Sequence, residues 1–113
     1  MRITLLNPAP SNPVPFDYAA VQLLPDLPGC YVLANAAGDV IYIGQAVSLP
    51  NRLLQHLDSG RHRELTKYGR ASFVCVLTIE RVVTLSAHER GWLNQCELAD
   101  GELPPLNKVH GPI

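Results

Sequence analysis

The chain has 113 residues, of which 47% are apolar and 17% are charged. This length and composition predict a single globular domain that needs no disulfide or metal to bury a core, and they exclude a disordered chain. The net charge is −1, but residues 52–90 carry seven Lys or Arg against four Asp or Glu. This local excess of positive charge is compatible with a partner that carries phosphates.

The three cysteines, Cys30, Cys75 and Cys96, are far apart and form no CxxC pair. Their spacing argues against a zinc ribbon and indicates reduced thiols in a cytoplasmic protein. The N-terminus shows no signal-peptide pattern, and no apolar run approaches the roughly 20 residues that cross a bilayer. We therefore expect a cytoplasmic protein with no membrane partner.

The N-terminal part is rich in proline, with six of the ten prolines in residues 1–28. This composition predicts an extended lead-in with one short helix from Asp17 to Leu24. We expect residues 1–27 to be a Pro-rich extension and residues 28–113 to be the functional domain.

Two β-rich runs, GCYVLAN and DVIYIG, flank the turn signal AAGD and predict a hairpin. A loop of residues 36–39 would place Asn35 opposite Val40. Tyr31 and Tyr42 would then be diagonal neighbours on one face of the sheet. A loop one residue longer or shorter would put the two tyrosines on opposite faces.

A helix is predicted after the hairpin, with Ser48 as its N-cap, Pro50 in its first turn and Gly60 beyond its end. Arg52 and His56 lie four residues apart on one flank of this helix. Its apolar stripe consists of Leu49, Leu53 and Leu57.

The second half of the chain predicts an apolar, interior strand over residues 72–79, a helix over residues 85–98 and an extended tail from Gly101. The order of elements is β-β-α-β-α. This order indicates an α+β domain, in which helices flank a small sheet.

Glu89 lies on the apolar face of the second helix, four residues after Leu85 and three before Trp92. A carboxylate in that place costs free energy unless it is paired or binds a cation. The alternative is a capping box, SAHE, in which Ser86 caps the helix and Glu89 reaches back to the first turn. The residue pattern alone leaves both roles open.

The two tyrosines and the Arg52/His56 pair also have ordinary interpretations. Tyrosines in strands usually pack with a solvated hydroxyl, and a helix flank is usually solvated. The functional interpretation is that the guanidinium binds two phosphate oxygens, while a phenol acts as a base. Because the reference pKa of a phenol is about 10, cations would have to stabilise the phenolate. Arg52 and a metal ion at Glu89 could supply that charge.

The segment RHRELTKYGR, residues 61–70, carries four Lys or Arg and one Glu. Its ordinary interpretation is a solvated connection. Its functional interpretation is a basic surface that binds successive phosphates of a nucleic acid, with the rings of His62 and Tyr68 available to contact bases. The candidate nucleic-acid-binding residues are Arg61, His62, Arg63, Lys67, Tyr68 and Arg70.

Taken in order, the candidate residues resemble the GIY-YIG nuclease superfamily. The resemblance covers about 70% of the chain, and five elements occur in order at suitable spacing. They are Gly29-Cys30-Tyr31 for GIY, Tyr42-Ile43-Gly44 for YIG, Arg52 with His56 in the first helix, Glu89 in a later helix, and Asn107 in PPLN.

The resemblance implies a small module built on a three-stranded antiparallel sheet, and hydrolysis of phosphodiester bonds in DNA with one Mg²⁺ or Mn²⁺ held by Glu89. Tyr42, with Tyr31 nearby, would be the general base, and which of the two acts is left open. Arg52 would stabilise the charge of the transition state. His56 would orient a tyrosine or bind phosphate.

Three further residues would support the site by this resemblance: Gly44, Gln45 and Asn107. Asn107 would act through hydrogen bonds. Gln45 follows YIG directly, where many members of the superfamily carry lysine. It can donate a hydrogen bond but supplies no charge. Cys30 replaces the usual aliphatic residue of the first motif, which is a mild change.

We expect the nuclease domain to act on DNA, with single-stranded or branched DNA favoured over duplex. Specificity would come from its own surface, from a homodimer or from a protein partner. One alternative is a catalytically weak or inactive module that binds nucleic acid or a protein, and another is a purely structural domain. Metal-dependent cleavage separates the nuclease from both, and salt-sensitive DNA binding separates the two alternatives.

Overall fold

The computed structural model describes residues 1–110, and only the backbone of His110. The last three residues of the predicted domain 28–113 lie outside the described residues. None of the helices in residues 1–110 is both long and apolar enough to cross a membrane. The strands are β1 Val14–Pro15, β2 Gly29–Ala34, β3 Val40–Ala46 and β4 Phe73–Thr78. The helices are α1 Tyr18–Val21, α2 Leu49–Asp58, α3 Leu85–Asp100 and α4 Pro105–His110, and short 3₁₀ turns form at Ile3–Leu5, Arg61–Arg63 and Val82–Thr84.

The described residues form one antiparallel sheet of four strands in the order β1-β4-β2-β3. The α+β class and the three predicted strands are confirmed, and β4 lies in the interior as expected. The predicted count of three strands is wrong by one, because the two-residue strand β1 pairs with β4. Strand β1 tolerates Pro15, which has no backbone N–H, because an edge strand has a hydrogen-bonded neighbour on one side only.

The register of the hairpin places the two tyrosines on one face, as predicted. Tyr31 pairs with Gly44, and Leu33 pairs with Tyr42. Facing residues of an antiparallel pair share a face, so Tyr31 and Tyr42 are neighbours, with ring centroids 6.2 Å apart. The register differs from the prediction only near the turn, where a bulge places Ala34 opposite Val40.

Helices cover both faces of the sheet. On one face, the predicted leucine stripe of α2 is buried with the two tyrosines. On the other face, Trp92 of α3 packs in a second cluster with Ile43 of β3. Successive side chains of a strand point to opposite faces. Strand β3 therefore presents Tyr42 and Gly44 toward α2, and Ile43 and Gln45 toward α3.

The helix boundaries follow the predicted signals closely. Helix α2 begins after Ser48, although the Ser48 side chain makes no capping bond, and Gly60 follows its end with a φ of +79°. Helix α3 covers the predicted residues 85–98 and continues by two more. Helix α1 is shorter than the predicted span 17–24, and Asp17 caps it by accepting a 2.8 Å hydrogen bond from the backbone of Ala20.

The prediction of an extended tail after Asp100 is wrong, since α4 forms there. Pro105 suits the first helical turn, where no backbone N–H is needed. Leu106 is buried in the cluster on the α2 face. A helix of six residues depends on such tertiary contacts, and no local sequence pattern shows them.

The N-terminal extension packs along the domain. The indole of Trp92 donates a 2.9 Å hydrogen bond to the carbonyl of Pro8. Asn7 and Gln95 exchange two hydrogen bonds, of 2.9 and 2.6 Å. These contacts hold the extension on α3. The predicted boundary after residue 27 stays a prediction.

A close approach at Gly44 yields the first prediction. A Cβ atom at this position would lie 2.3 Å from the phenol oxygen of Tyr31 and 2.4 Å from Cζ of the same ring. We expect Gly44→Ala to lower the free energy of unfolding by about 1–3 kcal/mol, because the ring must move within a packed core. Urea denaturation measures the change.

Gly91 offers a matched control, because it lies within α3 and a Cβ there would meet no atom within 4 Å. Gly91→Ala should raise the free energy of unfolding by about 0.5–1 kcal/mol, since alanine restricts the unfolded chain. Equal effects of the two substitutions would contradict the role given to Gly44.

Candidate active site

Three aromatic side chains form a buried cluster on the α2 face. The phenol oxygen of Tyr31 lies 2.5 Å from Nε2 of His56. The His56 ring centroid is 5.5 Å from that of Tyr31 and 5.4 Å from that of Tyr42. His56 is only 2% exposed, so this part of the helix flank is not solvated.

Arg52 lies one turn before His56 on α2 and is half-buried. One of its guanidinium nitrogens donates a 3.1 Å hydrogen bond to the side chain of Gln55. The helical spacing of four residues puts Arg52 and His56 on the same side of the helix, as predicted. The positive charge of Arg52 also reaches both tyrosines, because it lowers the pKa of each.

Burial nevertheless has the larger effect on the two phenols. Burial raises the pKa of Tyr31 above its ordinary value of 10, the charge of Tyr42 raises it further, and Arg52 lowers it. Burial also raises the pKa of Tyr42, against the lowering effects of Arg52 and Arg61. The expected stabilisation of a phenolate by Arg52 is therefore present but is outweighed. Both phenols keep their protons at neutral pH in the metal-free protein.

Glu89 is 5% exposed and lies under the sheet on the α3 side. Its Oε1 accepts a 3.4 Å hydrogen bond from the amide of Gln45. Its Oε2 is buried and has no hydrogen-bond partner among the described residues. Burial raises the pKa of Glu89 to about 7, while Arg90 and the bond from Gln45 lower it. A buried oxygen of this kind is a candidate ligand for a cation.

The capping interpretation of Glu89 is wrong. Helix α3 begins at Leu85 after Thr84, so Thr84 and not Ser86 is the N-cap, and its side chain makes no capping hydrogen bond. Ser86 thus lies inside the first turn, where its hydroxyl accepts a 3.1 Å hydrogen bond from Gln45. Glu89 is then too far along the helix to reach the orphan amides at its start.

The two halves of the site meet at β3. Tyr42 and Gly44 face α2, while Gln45 faces α3 and holds Glu89. Beyond burial and Arg52, the negative charge of Glu89 also raises the pKa of both tyrosines. The tyrosines on the α2 face and Glu89 on the α3 face are therefore within electrostatic reach of each other. Gly44, which carries no side chain, lies between Tyr42 and Gln45 on β3.

Asn107 closes the open edge of β3 beside this site. Its side-chain oxygen accepts a 2.9 Å hydrogen bond from the backbone N–H of Ile43, and its amide donates a 2.9 Å bond to the Ile43 carbonyl. Asn107 is buried. It fixes the backbone between Tyr42 and Gly44, and the supporting role that the resemblance implies for it stays a prediction.

Three residues of the predicted nucleic-acid-binding segment are exposed, namely Arg63, Lys67 and Arg70. Lys67 pairs with Glu102, and Nε of Arg70 donates a 3.1 Å hydrogen bond to the backbone carbonyl of Arg63. They are the part of the segment that solvent, and hence a phosphate, can reach.

The other three members of the segment are half-buried. His62 makes an edge-to-face contact with Phe16 at 6.0 Å. Tyr68 packs against the cluster on the α2 face. Arg61 turns inward, where its Nε donates a 3.3 Å hydrogen bond to Nδ1 of His56. The sequence gives no signal for this last contact apart from Gly60, whose positive φ reverses the chain.

Residues 1–110 contain no cluster of three or more His, Cys, Asp or Glu side chains that could hold a metal ion. Glu89 is a single carboxylate with a neighbouring amide. Mg²⁺ commonly binds through one or two carboxylates and completes its shell with water and phosphate oxygens. The donor set therefore fits a hard divalent cation and does not fit a structural zinc ion.

The second prediction concerns the stability of the metal-free protein. The pKa of Glu89 is about 7 in the folded state, against an ordinary value of 4.5, so folding favours the protonated form. This stabilisation is complete below about pH 4.5 and is lost as the pH rises through 7. We expect a loss of at most about 3 kcal/mol, which Glu89→Gln should abolish. Urea denaturation in EDTA at several pH values measures it.

Glu97→Gln is the matched control, since Glu97 is an exposed residue of the same helix. The control should keep the wild-type dependence on pH. If Glu89→Gln and Glu97→Gln show the same pH dependence as the wild type, the carboxyl of Glu89 does not titrate as described.

Comparisons with known proteins show the family to which this chain belongs. The family model described as the UvrC-like GIY-YIG domain matches residues 27–95. UvrABC system protein C from Symbiobacterium thermophilum is 42% identical over 64 residues, which are 57% of this chain and 10% of that protein. The same protein from Alkaliphilus metalliredigens is 34% identical over 87 residues, 77% of this chain and 14% of that protein. The chain thus spans a small part of these relatives' length.

A solved structure shares the fold. It is the GIY-YIG N-terminal endonuclease domain of UvrC from Thermotoga maritima, in which one tyrosine is mutated to phenylalanine and which is bound to its catalytic divalent cation. It superposes with a TM-score of 0.51 at 23% identity, over 66% of this chain and 82% of that one. With the family model matching more than half of its residues, this chain belongs to the GIY-YIG family as a UvrC-like member.

Proposed function

We propose that this chain is a metal-dependent endonuclease that hydrolyses phosphodiester bonds in DNA. The observation that carries the proposal is the buried Oε2 of Glu89, which has no hydrogen-bond partner in residues 1–110 and lies within electrostatic reach of two buried tyrosines. A purely structural domain would have no use for such an oxygen, because an unpaired buried acceptor destabilises the fold. The similar UvrC domain, which is an endonuclease domain bound to a divalent cation, supports the same interpretation.

Glu89 would hold the metal ion, Mg²⁺ or Mn²⁺. A bound cation would polarise the phosphate, stabilise the leaving oxygen and lower the pKa of the nearby phenols. Gln45 would hold the other carboxylate oxygen in place through the hydrogen bond that it donates. Because Gln45 supplies no charge, the activation of the phenols would depend on the cation and on arginine.

Tyr42 is our candidate for the general base. Two guanidinium groups, of Arg52 and Arg61, lower the pKa of Tyr42, whereas the charge of Tyr42 itself raises that of Tyr31. Hydrolysis forms a bond from the water oxygen to phosphorus and breaks the bond from phosphorus to the leaving oxygen. The proton of the water would pass to the phenolate oxygen of Tyr42, and the leaving oxygen would take a proton from solvent. Arg52 would stabilise the added negative charge on the phosphate.

Two further residues would position the tyrosines. His56 would orient Tyr31 through their 2.5 Å contact. Asn107 would hold the backbone of β3 on which Tyr42 and Gly44 lie. Neither group needs to touch the substrate to serve in this way.

The exposed basic side chains of Arg63, Lys67 and Arg70 would contact the DNA backbone. Single-stranded or branched DNA is the proposed substrate, because contacts from these three side chains would follow the phosphate backbone and need no readout of bases in a duplex groove. A homodimer or a protein partner would supply further specificity. The three cysteines are free and buried, which is in keeping with a cytoplasmic location.

The test, and the third prediction, is cleavage of labelled single-stranded, duplex and branched DNA with Mg²⁺, with Mn²⁺ and with EDTA. We expect metal-dependent cutting that Glu89→Gln lowers at least about a hundredfold, because the metal supplies several kcal/mol to the transition state. Glu97→Gln makes the same chemical change on the exposed side of α3 and should cut like the wild type.

A different outcome would favour the alternative of a weak or inactive binding module. Gln45 motivates this alternative because it carries no charge that would lower the pKa of a tyrosine. In that case no DNA would be cut under any metal condition, while the wild type would still bind DNA with an affinity that falls as the salt concentration rises. That result would overturn the nuclease proposal for the chain acting alone.

The fourth prediction separates the two tyrosines. Tyr42→Phe should lower kcat by about a hundredfold or more, because it removes the group that accepts the proton. Tyr31→Phe should lower it less, since the base remains. Single-turnover cleavage at saturating DNA measures both. A larger loss in Tyr31→Phe would assign the base to Tyr31 instead.

A further inference from the structure

The chain reverses after α2 and brings one arginine back to the site. Gly60, with a φ of +79°, is followed by the 3₁₀ turn Arg61–Arg63. The turn places Nε of Arg61 at 3.3 Å from Nδ1 of His56. A nitrogen at the other end of the same guanidinium, Nη1, donates a 2.7 Å hydrogen bond to the carboxylate of Glu64. Arg61 is thus held between Glu64 and His56.

The contact determines which ring nitrogen of His56 carries a proton. A guanidinium can only donate hydrogen bonds. The Nδ1 atom of His56 must therefore accept, and it carries no proton. A neutral imidazole has one N–H, which then lies on Nε2. Nε2 is the atom 2.5 Å from the phenol oxygen of Tyr31, so His56 donates this hydrogen bond and Tyr31 accepts it.

We propose that Arg61 is a positioning residue of the active site, which fixes His56 as a hydrogen-bond donor to Tyr31. The side chain of Arg61 is only 13% exposed, so it suits this internal contact better than a contact with DNA phosphate. Arg61 therefore belongs to the basic segment 61–70 in sequence but not to its exposed surface. The exposed basic residues of that segment are Arg63, Lys67 and Arg70.

The arrangement assigns different tasks to the two phenols. Because Tyr31 accepts a hydrogen bond from His56, its own O–H proton remains available to donate elsewhere in the site. His56 cannot receive that proton at Nε2, which is already protonated. Burial raises the pKa of Tyr31, and His56 does not accept its proton, so Tyr42 stays the proposed base. This consequence rests on the proposed nuclease function, whereas the tautomer of His56 does not.

The tautomer can be measured without cleavage, on the metal-free chain. Long-range ¹H–¹⁵N spectra of protein labelled in its histidine rings distinguish a protonated from an unprotonated ring nitrogen, and comparison with His56→Gln identifies the His56 signals. We expect a protonated Nε2 and an unprotonated Nδ1 in the wild type and in Arg61→Lys, since lysine also only donates. In Arg61→Met we expect a mixture of tautomers.

Kinetics give the second readout. Arg61→Met should lower kcat at saturating DNA by about ten- to a hundredfold, as the loss of a supporting hydrogen bond commonly does, with little change in KM. Arg61→Lys should restore most of the rate. Arg81→Met, which removes the same charge from an exposed site outside the segment, should match the wild type. A phosphate contact would behave differently, because its loss raises KM and reduces the salt dependence of binding.

Two results would overturn the proposal. One is a wild-type spectrum with the proton on Nδ1 of His56, which decides the matter even if Arg61→Met does not fold. The other is a loss in Arg61→Met that appears only in KM and in the salt dependence. A chain that has the expected tautomer but cuts no DNA would instead overturn the proposed nuclease function and leave the role of Arg61 toward His56 intact.

Discussion

The close contact between the Tyr31 ring and the backbone of Gly44 is the constraint on which the rest of the site depends. The two residues face each other across the hairpin, and the ring occupies the place that a Cβ atom would take. The phenol oxygen thereby comes within 2.5 Å of His56 on α2. Along β3, Gly44 also lies between Tyr42, on one face, and Gln45, on the other. The missing side chain at Gly44 thus gives the Tyr31 ring its place beside His56.

Burial then decides the protonation of that site. It raises the pKa of Tyr31 and of Tyr42, and it raises the pKa of Glu89 to about 7, so at neutral pH the metal-free protein keeps both phenols protonated and Glu89 only partly ionised. A small core tolerates neutral polar groups far better than charged ones, because desolvation penalises the ionised form. The same burial leaves Glu89 with an oxygen that no described residue pairs. The burial that keeps both phenols protonated therefore also makes Glu89 the candidate ligand for a divalent cation.

The sequence predicted the parts of the fold that local patterns determine. Loop length and alternation gave the pairing around Tyr31 and Tyr42, and helical spacing placed Glu89 on a buried face. Strand β1 and helix α4 were missed, since elements of two and six residues form only through tertiary contacts. The inward turn of Arg61 was missed for a related reason. From the sequence alone, an arginine in a basic segment is predicted to be solvated. The chain reversal at Gly60 instead turns the Arg61 side chain toward His56.

The two elements that the sequence did not predict, β1 and α4, each lie at an edge of the sheet. Strand β1 covers the free edge of β4, and the amide of Asn107 in α4 pairs with the free edge of β3. Unpaired strand edges invite association with other chains, so these short elements protect the sheet. At β3 the protection has a second effect. Asn107 holds the backbone of Ile43, directly between Tyr42 and Gly44, so the closure of the edge and the placement of the proposed base depend on the same pair of hydrogen bonds.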